Sequence, residues 1–163
     1  MGQYHMVVNL TKREFIHPHK LGSGLKLWEQ IANGANGGTG AALLVLLAAS
    51  NGRGIGDLDV EDNWHGPERV DMSGPGPMPE SYPEVAKRTI GRWAGDQIAV
   101  VGDYAEDSDL PPEFKASSIL AETEEGGTYI DISEDVLAVL VHELDLVIDD
   151  GKGWRTIRRR DAA

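Results

Sequence analysis

The sequence predicts a single α+β domain over residues 1–163, with a small, mostly antiparallel sheet packed by three to four helices. Two observations predict this class. The chain has 163 residues, of which 40% are apolar and 26% charged; this size and composition are typical of one domain that closes its own hydrophobic core. Segments with strand and helix periods also follow one another without regular alternation, which favours α+β over a parallel α/β sheet.

The first fifty residues predict a hairpin followed by two helices. Residues 4–8 and 14–16 are strand-like, with turn-forming residues between them. Ser23 is the expected N-cap of a short helix. A second helix is predicted over the apolar run 41–49. Because this run is apolar on every side, we expect it to be the buried central helix.

The second half of the chain predicts short strands and amphipathic helices that do not alternate regularly. The helix starts are marked by a capping box at Ser81 and Glu84 and by Ser133. The predicted elements are a helix at 83–94, a strand at 97–102, a strand at 128–132, a helix at 133–147 and a strand-like piece at 154–157.

Two segments differ from the rest in composition. Residues 53–80 are rich in glycine, proline and acidic residues, and they predict a long irregular excursion that packs on the body through Trp64 and Met72 or Met78. Residues 152–163 predict a basic C-terminal tail, since five of the 15 basic residues lie between 152 and 160. We expect these arginines to neutralise the acidic body or to be solvated.

The charge excludes several classes of partner. The net charge is −12, with 27 acidic and 15 basic residues. A surface this acidic repels phosphate backbones and anionic lipids, so neither nucleic acid nor a membrane is expected as a partner. The longest apolar run has nine residues and no secretory signal is recognised, so a cytoplasmic location is predicted. Cysteine is absent, which excludes disulfides and thiol chemistry.

The segment His17-Pro18-His19 is the main candidate for a divalent metal site. On an extended chain, residues i and i+2 share a face, so the two imidazoles can bind one metal ion. A third ligand is needed. The candidates for it are His65, Asp57, Asp59 and Asp103. The alternative is a pair of histidines that hydrogen-bond to the backbone at the end of a strand.

Three other motifs have a functional and a structural interpretation. Gly37-Gly38-Thr39-Gly40 can bind an anion at a helix start, with Thr39 as a ligand, or can be a turn capped by Thr39. Arg92 beside Trp93 can orient an anionic ligand, or Trp93 can lie in the core while Arg92 pairs with an aspartate of the protein. Residues 57–68 have the carboxylate spacing of a calcium loop, but Asp62 stands where that loop needs glycine, which favours a solvated acidic loop.

Three segments together resemble a family of small uncharacterised proteins predicted in fungi, bacteria and phages. They are GQYHMVVNLTKREFIHPHKLGSGLKLWEQ, NWHGPER and TIGRWAGDQIAVVGDYAEDSDLPPE. The resemblance covers nearly the whole chain. It implies no particular fold, activity or ligand, and no catalytic residue is carried over from it.

Two functions of different classes follow from these residues. The first is a site for a small polar ligand or a divalent metal, with metal-assisted hydrolysis as its reaction. In this site Asp103 and His19 are the catalytic residues. Arg92 orients an anion, and Asp57 or Asp59 assists. The second is an acidic interaction module, such as an inhibitor or immunity-type partner of a basic protein. Convergence of His17, His19 and Asp103 in a pocket would favour the first function, and their dispersal beside an exposed acidic face would favour the second.

Overall fold

The structure is a computed structural model that describes residues 3–32, 37–49, 82–150 and 155–160. Within these ranges it has an α+β fold, as the sequence predicts. It contains a four-stranded sheet, a separate two-stranded sheet and five α-helices, where the sequence predicts one small sheet and three to four helices. The strands are β1 (His5–Asn9), β2 (Glu14–Ile16), β3 (Ile98–Gly102), β4 (Ile130–Asp131), β5 (Leu146–Asp150) and β6 (Arg155–Arg159). The helices are α1 (Leu27–Ala32), α2 (Gly38–Leu47), α3 (Tyr82–Thr89), α4 (Ala116–Glu125) and α5 (Ser133–Leu144).

The larger sheet has the strand order β3-β1-β2-β4. The predicted hairpin is confirmed: β1 and β2 are antiparallel with Val7 opposite Ile16. Strand β3 pairs antiparallel with the other side of β1, with Val7 opposite Val100. The short strand β4 pairs parallel with β2, so the sheet is mostly antiparallel. Strands β5 and β6 form the separate antiparallel ribbon.

Helices cover both faces of the larger sheet because its strands alternate buried apolar residues between the two faces. On one face Val7 and Ile16 join a core cluster with α2, α3 and α5 that includes the fully buried Trp93. On the opposite face Met6, Val8 and other apolar residues pack against α4. The fold therefore has two hydrophobic cores separated by the sheet.

Helix α2 is buried on one side only. Ala42, Val45 and Leu46 belong to the core, whereas Leu44 is 76% exposed and Leu47 is half-exposed. The prediction of a central buried helix over 41–49 therefore holds for one face and is wrong for the other. An apolar sequence on every side does not by itself require partners on every side.

The end of α5 and the segment after it differ from the prediction. The predicted helix 133–147 ends at Leu144, because Asp145 has the left-handed φ of 48°. The next residues form β5, so Ile148 lies in a strand. The structure also has α4 over Ala116–Glu125, a segment for which no helix is predicted from the sequence.

Two predicted segments have different outcomes. The excursion at 53–80, with Trp64, Met72 and Met78, lies outside the described residues. Part of the basic segment 152–163 is strand β6. Three of its arginines pair with acidic residues of the protein: Arg155 with Glu134, Arg158 with Asp149 and Arg160 with Asp145.

No helix in the described part of the chain is both long enough and apolar enough to cross a membrane.

Candidate functional site

One end of the four-stranded sheet gathers several of the predicted site residues. Strand β1 begins at this end, while β2, β3 and β4 all finish there, because β1 is antiparallel to β2 and β3, and β4 is parallel to β2. His17 follows β2 directly, and Asp103 follows β3. Asp131 is the last residue of β4. The strand order, rather than the sequence, determines which of these residues are neighbours.

The histidine pair lies in a short 3-10 turn, Pro18–Leu21, that follows β2. The His17 and His19 rings are 5.5 Å apart between centroids, and both side chains are partly buried. The backbone N–H of His19 donates to Nδ1 of His17 at 3.3 Å. This hydrogen bond occupies the lone pair of His17 Nδ1, so Nδ1 does not bind a metal ion in this geometry.

A chain of hydrogen bonds joins this turn to the start of α5. Lys20 forms an ion pair with Asp131 at 2.7 Å. Asp131 accepts hydrogen bonds from the backbone N–H and the hydroxyl of Ser133. The Ser133 oxygen in turn accepts the backbone N–H of His17 at 2.7 Å. Ser133 is fully buried, so its hydroxyl fixes the turn on α5 and is not a solvent-accessible nucleophile.

The environment of Asp131 stabilises its ionised form. Burial raises the pKa of Asp131, but the hydrogen bonds from Lys20 and Ser133 outweigh it, so the pKa lies below the usual value of 3.8. The carboxylate therefore stays charged at neutral pH and keeps the Lys20 ammonium beside the histidine turn.

The three predicted groups His17, His19 and Asp103 do not meet at one point. Strand β1 lies between β2 and β3, so the residues that follow these two strands are separated by two strand spacings, about 10 Å. Asp103 instead binds the start of β1, where its carboxylate accepts the Tyr4 N–H at 3.0 Å. In the described part of the chain, no three His, Asp or Glu side chains are grouped as metal ligands. The predicted ligands Asp57, Asp59 and His65 lie outside it.

Arg92 forms an ion pair within the protein, as the structural interpretation predicts, but its partner is Glu14 rather than an aspartate. Its Nε and Nη2 atoms donate to both carboxylate oxygens of Glu14, at distances down to 2.6 Å. Trp93 Nε1 donates to the same carboxylate at 2.8 Å. Burial raises the pKa of Glu14, but the hydrogen bonds from Arg92 and Trp93 more than offset it, so the pKa lies below 4.5. The guanidinium is thus committed to a buried ion pair.

Thr39 is buried in the first turn of α2. Its backbone N–H donates to the Ser23 hydroxyl at 3.2 Å. The N-cap position belongs to Gly37, which has no side chain, so this N–H of the first turn is satisfied by Ser23 instead. The predicted cap at Thr39 is therefore wrong, because Thr39 is already inside the helix.

A different surface is formed by the segment after β3. The acidic loop, residues 103–109, has four carboxylates and no basic residue, and all four carboxylate side chains are exposed. They are Asp103, Glu106, Asp107 and Asp109. Tyr104, in the same loop, is 61% exposed. Acidic residues are found at many surfaces, but here they are concentrated beside an exposed aromatic side chain.

Hydrogen bonds within the acidic loop hold its backbone in one conformation. Glu106 and Asp109 form a reciprocal capping box around the turn Asp107–Asp109. Asp107 also accepts from the backbone and the hydroxyl of Ser117 in α4. The loop is therefore attached to β3 at one end and to α4 at the other, so its charges have a defined arrangement relative to the sheet.

The sequence did not indicate the exposed apolar residues that border this loop. Val100 of β3 is 46% exposed and Tyr4 is half-exposed. Residues 98–102 of the run 97–102 have no polar side chain, which predicts an interior strand. Only the strand order reveals that β3 is at the edge of the sheet within the described residues.

Comparison of the chain with models of known protein families, with curated proteins and with solved structures finds no match. The family resemblance therefore stays a prediction.

Proposed function

We propose that this protein is an acidic interaction module that binds a basic partner protein through the acidic loop. The observation that carries this proposal is the concentration of four exposed carboxylates in residues 103–109, with no basic residue among them. Complementary charge raises the rate of association and selects partners by the sign of their charge. The same charge disfavours nucleic acid as a partner.

The arrangement of the other candidate residues supports this function over a ligand site. Arg92 is committed to Glu14, and Asp103 is separated from the histidine turn by β1. An interaction surface needs no such convergence. It needs exposed groups on a well-ordered scaffold, and the capping box together with the Asp107–Ser117 hydrogen bonds supplies that order.

A charge-neutralising variant of the acidic loop tests the proposal. The triple variant Glu106→Gln, Asp107→Asn and Asp109→Asn removes three charges but keeps oxygen atoms that can accept the same hydrogen bonds. The probe is a capped peptide of about nine residues that alternates lysine with valine or threonine. We expect the natural protein to bind this peptide at low salt and to lose binding as salt screens the charges. The triple variant should bind at least about tenfold more weakly.

The matched control removes three charges elsewhere on the surface. The exposed acids Glu84, Glu134 and Asp149 are suitable, as Glu84→Gln, Glu134→Gln and Asp149→Asn. This control has the same net charge as the loop variant. If the two variants weaken peptide binding equally, the effect comes from total charge and the acidic loop is not the binding surface.

The histidine turn supports a second candidate function, the binding of a small anion. The Lys20 ammonium lies on the same short turn as the His19 imidazole, and its ion pair with Asp131 keeps it there. Metal-assisted hydrolysis at this turn needs imidazole lone pairs, and the His19 N–H already occupies the one on His17 Nδ1.

Titration followed by ¹H NMR of the histidine ring protons separates these two versions of a ligand site. Inorganic phosphate should shift the His17 signals if the turn binds an anion, whereas Zn²⁺ should shift or broaden the His17 and His19 signals together if it binds a metal. Loss of the phosphate effect in Lys20→Met, and its retention in the surface control Lys87→Met, would support the anion site. No response to phosphate would exclude it.

A further inference from the structure

Strand β3 lies at an open edge of the four-stranded sheet. Its neighbour is β1, and within the described residues no strand pairs with its other side, here called the β3 edge. The opposite edge of the sheet is β4, which has only two residues. Very short edge strands offer little backbone for pairing, whereas a five-residue edge presents a row of donors and acceptors.

The hydrogen-bond pattern identifies the backbone groups at the β3 edge. Asp103 N–H donates to Tyr4 O at 3.0 Å, and Leu10 N–H donates to Gln97 O at 2.8 Å. In an antiparallel pair, alternate residues exchange these bonds with the neighbouring strand. The backbone N–H and C=O groups that point toward β1 are therefore those of residues 97, 99, 101 and 103. The N–H and C=O groups of Ile98 and Val100 face the opposite way, toward the β3 edge.

Within the part of the chain that the structure describes, strand β3 lacks the charges, prolines and bulges that usually prevent strand addition. Proteins protect their edge strands with charged residues, proline or bulges. Strand β3 reads Ile-Ala-Val-Val-Gly, with no charge and no proline, and its register with β1 is continuous over all five residues. Val100 is 46% exposed at the centre of the strand, although Val7 opposite it is fully buried. An added strand would cover this exposed apolar side chain.

The charge beside the β3 edge indicates the chemistry of the added strand. The acidic loop follows Gly102 directly, so an extended segment that pairs with β3 passes next to its carboxylates. A second copy of this chain would bring another acidic loop and a second net charge of −12 to the same place, which opposes self-pairing. The arginines Arg155, Arg158 and Arg160 of the chain itself are already paired with its own acidic residues.

We propose that the β3 edge binds an extended, basic segment of a partner protein as a fifth strand of the sheet. Main-chain hydrogen bonds to Ile98 and Val100 supply the affinity common to all strand additions, and the acidic loop selects segments that carry lysine or arginine. This inference rests on the proposed function, because it assigns a binding mode to the same acidic surface.

A backbone-modified peptide tests the binding mode without any change to the protein. The probe is the alternating lysine peptide described above, and its control has the same sequence with every backbone amide N-methylated. The control keeps the charges and side chains but has no backbone donors. By isothermal titration calorimetry at low salt, we expect the control to bind at least about tenfold more weakly, since strand pairing requires backbone N–H groups. Equal binding of the two peptides would overturn strand addition.

A variant of β3 provides the second arm of the test. Val100→Pro removes the N–H that faces the β3 edge, and it leaves the β1 ladder intact because that ladder uses residues 99 and 101. The matched control Val100→Ala loses the side chain but keeps the N–H. We expect about tenfold weaker peptide binding by Val100→Pro than by Val100→Ala, with thermal unfolding used to verify that both variants are folded.

The possible outcomes separate this inference from the proposed function. If both peptides bind equally and the acidic-loop triple variant loses binding, the acidic module stands and strand addition is wrong. If the natural protein binds neither peptide at low salt, both proposals fail. If sedimentation shows a dimer of the natural protein that Val100→Pro abolishes, the β3 edge pairs with a second copy and the basic partner is wrong.

Discussion

Replacement of Glu14 by alanine tests the energetics of the buried polar network. Glu14 lies in β2 and is only 5% exposed. Its carboxylate accepts two close hydrogen bonds from Arg92 and one from Trp93. Glu14→Ala leaves the Arg92 charge without its carboxylate and leaves the indole N–H of the fully buried Trp93 without an acceptor.

The expected loss of stability follows from these contacts. Removal of one partner of a buried ion pair costs about 3–5 kcal/mol. The Arg92 side chain is 29% exposed, so water compensates part of its lost partner and the lower end applies. The unsatisfied indole adds to this cost, since a buried donor without an acceptor costs about 1–3 kcal/mol. If the lower end of both ranges is taken, Glu14→Ala lowers the free energy of unfolding by about 4 kcal/mol, which corresponds to a decrease in Tm of roughly 8–16 °C for a domain of this length.

Urea unfolding monitored by tryptophan fluorescence measures this loss, and Asp135→Ala serves as the control. Asp135 also pairs with an arginine at 2.7 Å, but the side chains of Arg88 and Asp135 are 41% and 31% exposed. An exposed pair contributes about 1 kcal/mol or less. If Glu14→Ala costs no more than Asp135→Ala, burial does not determine the strength of the Glu14–Arg92 pair and the reasoning is refuted.

Two further predictions concern pH and backbone conformation. Folding lowers the pKa values of Glu14 and Asp131, so their contribution to stability is present above the unfolded pKa values of 4.5 and 3.8 and is lost as the pH falls below them. When unfolding is followed by circular dichroism at decreasing pH, the free energy of unfolding of Glu14→Gln should fall less steeply than that of the natural protein. An equal slope for the two proteins would contradict this prediction. Gly91→Ala should destabilise more than Gly95→Ala, although both glycines have a left-handed φ, because a Cβ at Gly91 would lie 2.9 Å from the Ala48 carbonyl oxygen while one at Gly95 meets nothing within 4 Å. In thermal unfolding, the free energy of unfolding of Gly95→Ala should be about 1–2 kcal/mol lower than that of the natural protein, and that of Gly91→Ala should be lower still. Equal losses in the two variants would argue against the close packing of α2 on this turn.

The sequence predicts the parts of the fold that local patterns determine. The hairpin of β1 and β2 has strand-like runs and a turn in the right order, and the start of α5 is correctly predicted. The end of α5 could not be predicted, because Ile148 continues the helical period after Leu144 while the left-handed Asp145 ends the helix. Helix α4 has too few buried apolar residues, chiefly Ala116 and Ile119, to give a clear period.

The candidate surface depends on strand order, which a single sequence does not contain. The sequence correctly identifies residues 103–109 as an acidic loop after a strand. It does not reveal that β1 separates Asp103 from His17, nor that the apolar strand β3 is the edge strand of the sheet that the described residues form. The commitment of Arg92 to Glu14 joins residues 78 positions apart, a contact that no local spacing predicts.

The location of a bound basic peptide tests the central claim most directly. The protein labelled with ¹⁵N is titrated with the alternating lysine peptide at low salt, and the shift of each backbone amide is measured by NMR. We predict that the largest shifts fall on residues 98–109, the β3 strand and the acidic loop, and that they vanish at high salt. Shifts spread evenly over all acidic surfaces, or centred on the histidine turn at 17–20, would contradict the account.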